Sequence, residues 1–113
     1  MDSGLEEIET LIERLDLEPD PDAVRRDAAR LVLRQLEAKR EPLESWEKMH
    51  FEMAIALLPT VWLRLCLTHL RMALDAPPVE VRRQVERDHA SHFEAVDLAE
   101  LVERTRRLGL VDS

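Results

Sequence analysis

The residues best suited to chemistry in this 113-residue chain are a few histidines, glutamates and one cysteine, which recur at the spacing of a helical turn. Cys66 precedes His69 by three residues, and Glu86 precedes His89 by three. Residues three apart share one face of a helix, and thiolate, imidazole and carboxylate groups are zinc ligands. In an antiparallel helix pair, these side chains come to similar heights above the connecting turn. The sequence therefore predicts a candidate transition-metal site at Cys66, His69, Glu86 and His89.

The same residues also have a purely structural interpretation. A buried cysteine packs as a small hydrophobic residue, and buried histidines are satisfied by hydrogen bonds. Glu47-x-x-His50 and Glu86-x-x-His89 match part of the ferritin-like di-iron pattern, which also requires a glutamate from each of two further helices. The segment 60–75 contains no glutamate. Metal binding is therefore the alternative hypothesis, and packing of these residues in the core is the simpler one.

No complete catalytic constellation is found in the sequence. The two glycines form none of the glycine-rich phosphate-binding motifs. No serine stands at a glycine-flanked elbow, and Cys66 lies in an apolar segment that disfavours its thiolate. We therefore expect a protein that is not an enzyme and has no cofactor other than the candidate metal.

Composition predicts an all-α fold. Leu, Ala, Glu and Arg dominate, whereas glycine occurs twice and tyrosine never, which favours helices over hairpins. Residues 1–113 are predicted to form one compact domain of about five helices. Asp20 and Asp97 are predicted caps at helix starts, Pro59 is predicted to break a helix, and Gly109 to end the last one.

The segment 60–75 is apolar on nearly all sides. Its polar residues fall on one narrow stripe, formed by Arg64, Thr68, Arg71 and Asp75. A helix of this kind is either central in the bundle or buried against a partner. We predict that it is the mostly buried central helix of the domain.

The aromatic residues are the predicted contacts for a partner. Tryptophan is enriched in interface hot spots, which favours Trp46 and Trp62, and we add the two phenylalanines, Phe51 and Phe93. The opposing interpretation is that both tryptophans fill the core. The predicted partner is another protein or a second copy of this chain.

The net charge of −8 is concentrated at the N-terminus. Residues 1–22 contain nine acidic residues and one basic residue, so the remaining chain is neutral. This balance argues against nucleic acid or an anionic membrane as partner. Residues 1–18 are predicted to form an acidic amphipathic helix, separable from the bundle, that docks on a basic surface or covers the apolar bundle.

Several features predict a cytoplasmic protein. The acidic N-terminus has no signal-peptide pattern, and the single cysteine excludes an intramolecular disulfide. The most apolar stretch, residues 53–74, is interrupted by Pro59, Arg64 and Arg71, which argues against a membrane span.

Residues 45–111 resemble the helical β-type subunits and accessory proteins of the nitrile hydratase and thiocyanate hydrolase family. The resemblance begins with Trp46-Glu47, Phe51 and an alanine-rich apolar run, and continues with His92-Phe93 and the sequence Leu-Gly-Leu-Val that begins at residue 108. The family's paired tyrosines are absent here, and Pro59-Thr60 replaces a glycine. The resemblance implies a helical partner of a metal-bearing catalytic subunit that assists its assembly or metal loading.

Overall fold

The structure is a computed structural model that describes residues 3–17, 20–40, 43–88 and 97–111. Within these ranges the chain forms α-helices and no strand. The helices are α1 (Ser3–Leu17), α2 (Pro21–Glu37), α3 (Ser45–Leu57), α4 (Leu63–Leu74), α5 (Val79–Asp88) and α6 (Leu98–Arg107). The predicted all-α class is confirmed, and the predicted count of about five is one fewer than the described helices.

Two predicted helix starts and one predicted end are confirmed. The Asp20 carboxylate accepts a hydrogen bond from the backbone N–H of Asp22 at 3.0 Å. The Asp97 carboxylate likewise accepts from the backbone N–H of Glu100 at 2.9 Å. Such caps satisfy amides that have no partner within the helix. Gly109 follows the end of α6 with φ of +71°, a left-handed conformation that glycine adopts without steric cost.

The core lies where α2 and α3 pack against the other helices. α2 packs on α1, α3, α4 and α6, and α3 packs on α2, α4, α5 and α6. The largest fully buried side chains come from α1 to α4, α6 and the α3–α4 turn: Ile8, Leu31, Leu36, Phe51, Leu58, Leu67, Leu70 and Leu101. One continuous apolar cluster thus joins five of the six described helices.

The predicted central helix is only partly buried. α4 begins at Leu63 rather than at residue 60 and packs on α1, α2 and α3. Leu65 and Met72, on its opposite side, are 44% and 40% exposed. The prediction of a mostly buried central helix is therefore wrong, because the polar stripe faces a neighbouring helix instead of solvent alone.

Pro59 ends α3, and an arginine from α2 stabilises the turn that follows. Nη1 of Arg25 donates hydrogen bonds to the carbonyl oxygens of Leu58 and Thr60, the latter at 2.6 Å. The last carbonyl groups of a helix lack partners within it, and proline supplies no N–H to the turn. Arg25 therefore connects the α3–α4 turn to α2.

The N-terminal helix is part of the bundle. Ile8 is fully buried and Leu11 is 4% exposed, both within the core cluster. Acidic side chains of α1 pair with arginines of α2 and α4: Glu7 with Arg34, Glu9 with Arg71, and Asp16 with Arg64. α1 is therefore held on the bundle by apolar packing and ion pairs, which agrees with the predicted cover for the apolar bundle. Its separability and its docking on a basic surface stay predictions.

Candidate functional site

An exposed apolar surface lies on the antiparallel pair formed by α3 and α4. Its members are Met53 of α3, Trp62 at the start of α4, and Leu65 and Met72 of α4, which we call the α3–α4 face. Trp62 is 63% exposed and Met53 is 43% exposed. Trp62, Leu65 and Met72 follow at intervals of three and seven residues, so they share one side of α4 over about 15 Å.

Contacts between the two helices place these side chains together. The Cys66 thiol donates a hydrogen bond to the carbonyl oxygen of Ala54 at 3.1 Å. Met53 and Leu65 are the residues immediately before these two, and because the helices are antiparallel they are offset by about 3 Å along the pair. Toward the other end, the indole N–H of Trp46 donates to the carbonyl oxygen of Met72 at 2.8 Å. The α3–α4 face therefore extends along most of the pair.

Charged side chains are found at the edges of the α3–α4 face. On the α4 edge, Arg64 and Arg71 pair with acidic residues of α1. On the α3 edge, Glu52 pairs with Arg104 of α6 at 3.2 Å. Ion pairs thus border an apolar strip that includes tryptophan and methionine, two residue types that are enriched at protein interfaces.

A pair of histidines joins α3 to α4 beside this face. The Nδ1 atoms of His50 and His69 are 3.1 Å apart, and the ring centroids are 5.3 Å apart at an interplanar angle of 28°. His50 is 4% exposed, whereas His69 is half-buried. The Trp46 ring packs edge-on against His50 with centroids 4.3 Å apart. We call His50 and His69 the histidine pair.

Burial keeps both rings neutral at neutral pH. Desolvation, with a smaller electrostatic contribution from His69, lowers the pKa of His50 to about 4. Desolvation also lowers the pKa of His69. Two neutral rings share one Nδ1–H between them. Among the described residues, no side chain or backbone group forms a hydrogen bond with the buried Nε2 of His50.

The structure describes three of the four residues of the predicted metal site, so this site stays a prediction. Cys66 is fully buried, and burial raises the pKa of its thiol to about 12. The His69 ring forms a hydrogen bond with the His50 ring. Glu86 lies on α5, in a groove beside Glu44 at the start of α3. His89 lies outside the described residues. Within the described ranges, no three His, Cys, Asp or Glu side chains are grouped to hold a metal ion.

The four predicted partner contacts have different surroundings. Trp62 is exposed, and Trp46 is half-buried with its N–H bonded to Met72. Phe51 is fully buried, because it lies on the side of α3 that faces the core, so its predicted role as a partner contact is wrong. Phe93 lies outside the described residues.

Symmetry about the turn would have predicted the histidine pair. His50 and His69 are equally distant along the chain from the Pro59–Thr60 junction. Two helices that fold back at that junction bring equidistant residues to the same level. Spacing within one helix instead groups each histidine with a neighbour in its own helix, as Glu47-x-x-His50 and Cys66-x-x-His69. Glu47 in fact binds Lys39 at 2.6 Å and accepts from the Glu44 amide.

Comparisons with protein-family models, curated proteins and solved structures gave no match to this chain. Among the described residues, no helix combines the length and the apolar character that crossing a membrane requires.

Proposed function

We propose that this protein is a small helical interaction subunit that binds another protein, or a second copy of itself, through the α3–α4 face. The observation that carries the proposal is the exposure of Trp62, Leu65 and Met72 on one side of α4. Exposed apolar side chains that adjoin one another cost free energy in water and are typical of binding surfaces. The action is binding, without a catalytic step by this chain, in the cytoplasm.

The chemistry of the face favours a partner that presents an apolar surface. Methionine side chains adapt to surfaces of different shape because they are unbranched and polarisable. Trp62 supplies a large contact area at the end of the strip. The bordering arginines are already paired within the domain, so they form the polar rim of the interface.

The resemblance to the nitrile hydratase and thiocyanate hydrolase family suggests one class of partner. We propose a metal-bearing catalytic subunit, whose assembly or metal loading this chain assists. This part of the proposal rests on the residues that carry the resemblance, such as Trp46 and Glu47 on α3.

Site-specific photo-crosslinking tests the position of the interface. A benzophenone side chain at Leu65 lies in the centre of the α3–α4 face, and the same group at Val81 of α5 is a matched control, since Val81 is 48% exposed. We expect a covalent adduct in cells from position 65 and none from position 81. Equal labelling at both positions, or no adduct at position 65, would contradict the proposed interface.

A further inference from the structure

We propose that the histidine pair is a binding site for a divalent transition-metal ion, held between α3 and α4 by Nδ1 of His50 and Nδ1 of His69. This ligand set differs from the set predicted around Cys66, because His50 takes the place of Cys66, Glu86 and His89. The two histidines come from different helices, so a bound ion links α3 to α4.

The distance between the two nitrogen atoms fits a shared ion. Zinc–nitrogen bonds are about 2.0–2.1 Å long. With bonds of this length, the Nδ1···Nδ1 distance of 3.1 Å gives an angle of roughly 100° at the metal. This angle lies between the right angle of octahedral geometry and the tetrahedral angle. The separation of the two nitrogen atoms therefore already matches that of two ligands on one ion.

The lone pairs are available for coordination at neutral pH. Imidazole binds a metal only when its ligating nitrogen carries no proton, and both rings are neutral because burial disfavours their charged forms. The shared Nδ1–H moves to Nε2 of the same ring when the ion takes its place. This exchange of tautomer leaves both rings neutral and releases no net proton.

Partial exposure of His69 gives the proposed route for the ion. His69 is half-buried, so the ion enters past this ring and keeps water in its remaining positions. Neutral imidazole ligands without a thiolate or carboxylate favour zinc, copper or nickel over calcium and magnesium. Metal binding by the histidine pair of the isolated chain does not require the proposed partner.

Zinc titration of the full chain by calorimetry tests the site at pH 7.5. We expect one equivalent of Zn²⁺ to bind, and a loss of about tenfold or more in affinity in both His50→Gln and His69→Gln, since each loses one of two imidazole ligands. His89→Gln is the matched control, which removes a histidine outside the pair and should bind as the wild type does. Ring-nitrogen NMR of the wild type should show both Nδ1 signals shifting on addition of zinc.

Other outcomes would overturn the site. The proposal fails if the wild type does not bind zinc, or if His69→Gln, whose side chain is half-exposed and compatible with folding, retains wild-type affinity. It also fails if His89→Gln abolishes binding while His50→Gln does not, because this result would assign the metal to the residues predicted around Cys66.

Discussion

At the scale of single residues, burial controls the reactivity of the groups that the sequence marked as candidates for chemistry. Cys66 and His50 are both buried in the α3–α4 pair. Their pKa values move in opposite directions because burial disfavours the charged form, which is the thiolate in one case and the imidazolium in the other. Both groups are therefore neutral at pH 7.

The thiol of Cys66 should be protected in the folded protein. Its pKa is raised to about 12 and its side chain is fully buried. Little thiolate therefore forms at neutral pH, and a reagent cannot reach the sulfur atom. We expect iodoacetamide at pH 7.5 to modify Cys66 slowly in native protein and rapidly in denaturant, as followed by mass spectrometry. Equal rates in the two conditions would show that the thiol is accessible in the native state.

His50 should make the folded state less stable at acidic pH. Its folded pKa of about 4 lies below its ordinary value of 6.5, so the unfolded state binds more protons between these values. The free energy of unfolding should therefore fall as the pH drops from 6.5 towards 4. NMR titration checks the cause, because the ring protons of His50 should shift near pH 4. A midpoint near 6.5 in folded protein would contradict the burial of this ring.

At the scale of elements, the α3–α4 turn depends on a residue far away in the sequence. Arg25 on α2 donates to two carbonyl groups of this turn. Hydrogen bonds from charged groups contribute more than neutral ones, and the acceptors would lose their partner if the guanidinium were removed.

Replacing Arg25 with alanine should destabilise the domain by about 1.5–3 kcal/mol, as expected for a hydrogen bond to a charged group. The neighbouring Arg26 lies on the exposed side of α2, so Arg26→Ala is the matched control and should change stability by less than about 0.5 kcal/mol. Urea unfolding of the two variants measures the difference. Equal stabilities would show that the turn does not need Arg25.

α1 contributes the fully buried side chain of Ile8 to the core. Ile8→Ala should lower the free energy of unfolding by about 2–5 kcal/mol, because it leaves a cavity in the core. Glu13→Gln, on the exposed side of the same helix, should have an effect within about 0.5 kcal/mol. A negligible effect of Ile8→Ala in urea unfolding would contradict this packing and support a separable N-terminal helix.

The sequence predicts the helices better than their packing. Caps such as Asp20 and Asp97 and the break at Pro59 are local signals, and the structure agrees with each. The position of a helix in the bundle depends on distant partners. Arg64 and Arg71 form a polar stripe in the sequence, but the stripe faces α1, and Leu65 and Met72 are left exposed.

In the candidate site, too, local features agree with the sequence, whereas contacts between helices do not follow from it. Exposure of Trp62 agrees with its predicted place on a surface, whereas the burial of Phe51 depends on the orientation of α3 in the bundle. The contact between His50 and His69 depends on the pairing of two helices. Periodicity within one helix shows which residues share a face, and it does not show which residue lies opposite.

At the scale of the whole molecule, a core of leucines and valines supports an exposed strip of larger apolar residues on α3 and α4. The acidic N-terminal helix is fastened to α2 and α4 by ion pairs, so its charge is partly neutralised within the domain. The α3–α4 face is therefore the surface that we expect to make the principal contact with a partner.

Light scattering after size-exclusion chromatography tests this claim most directly, on protein isolated from cells that express it naturally. We expect the wild type to elute in a complex heavier than the 13.1 kDa monomer, and a variant with Trp62→Ser, Leu65→Ser and Met72→Ser to elute as a folded monomer. A control with Val79→Ser and Val81→Ser on α5 should retain the complex. A wild type that elutes as a 13.1 kDa monomer, or a triple variant that keeps the complex, would contradict the account.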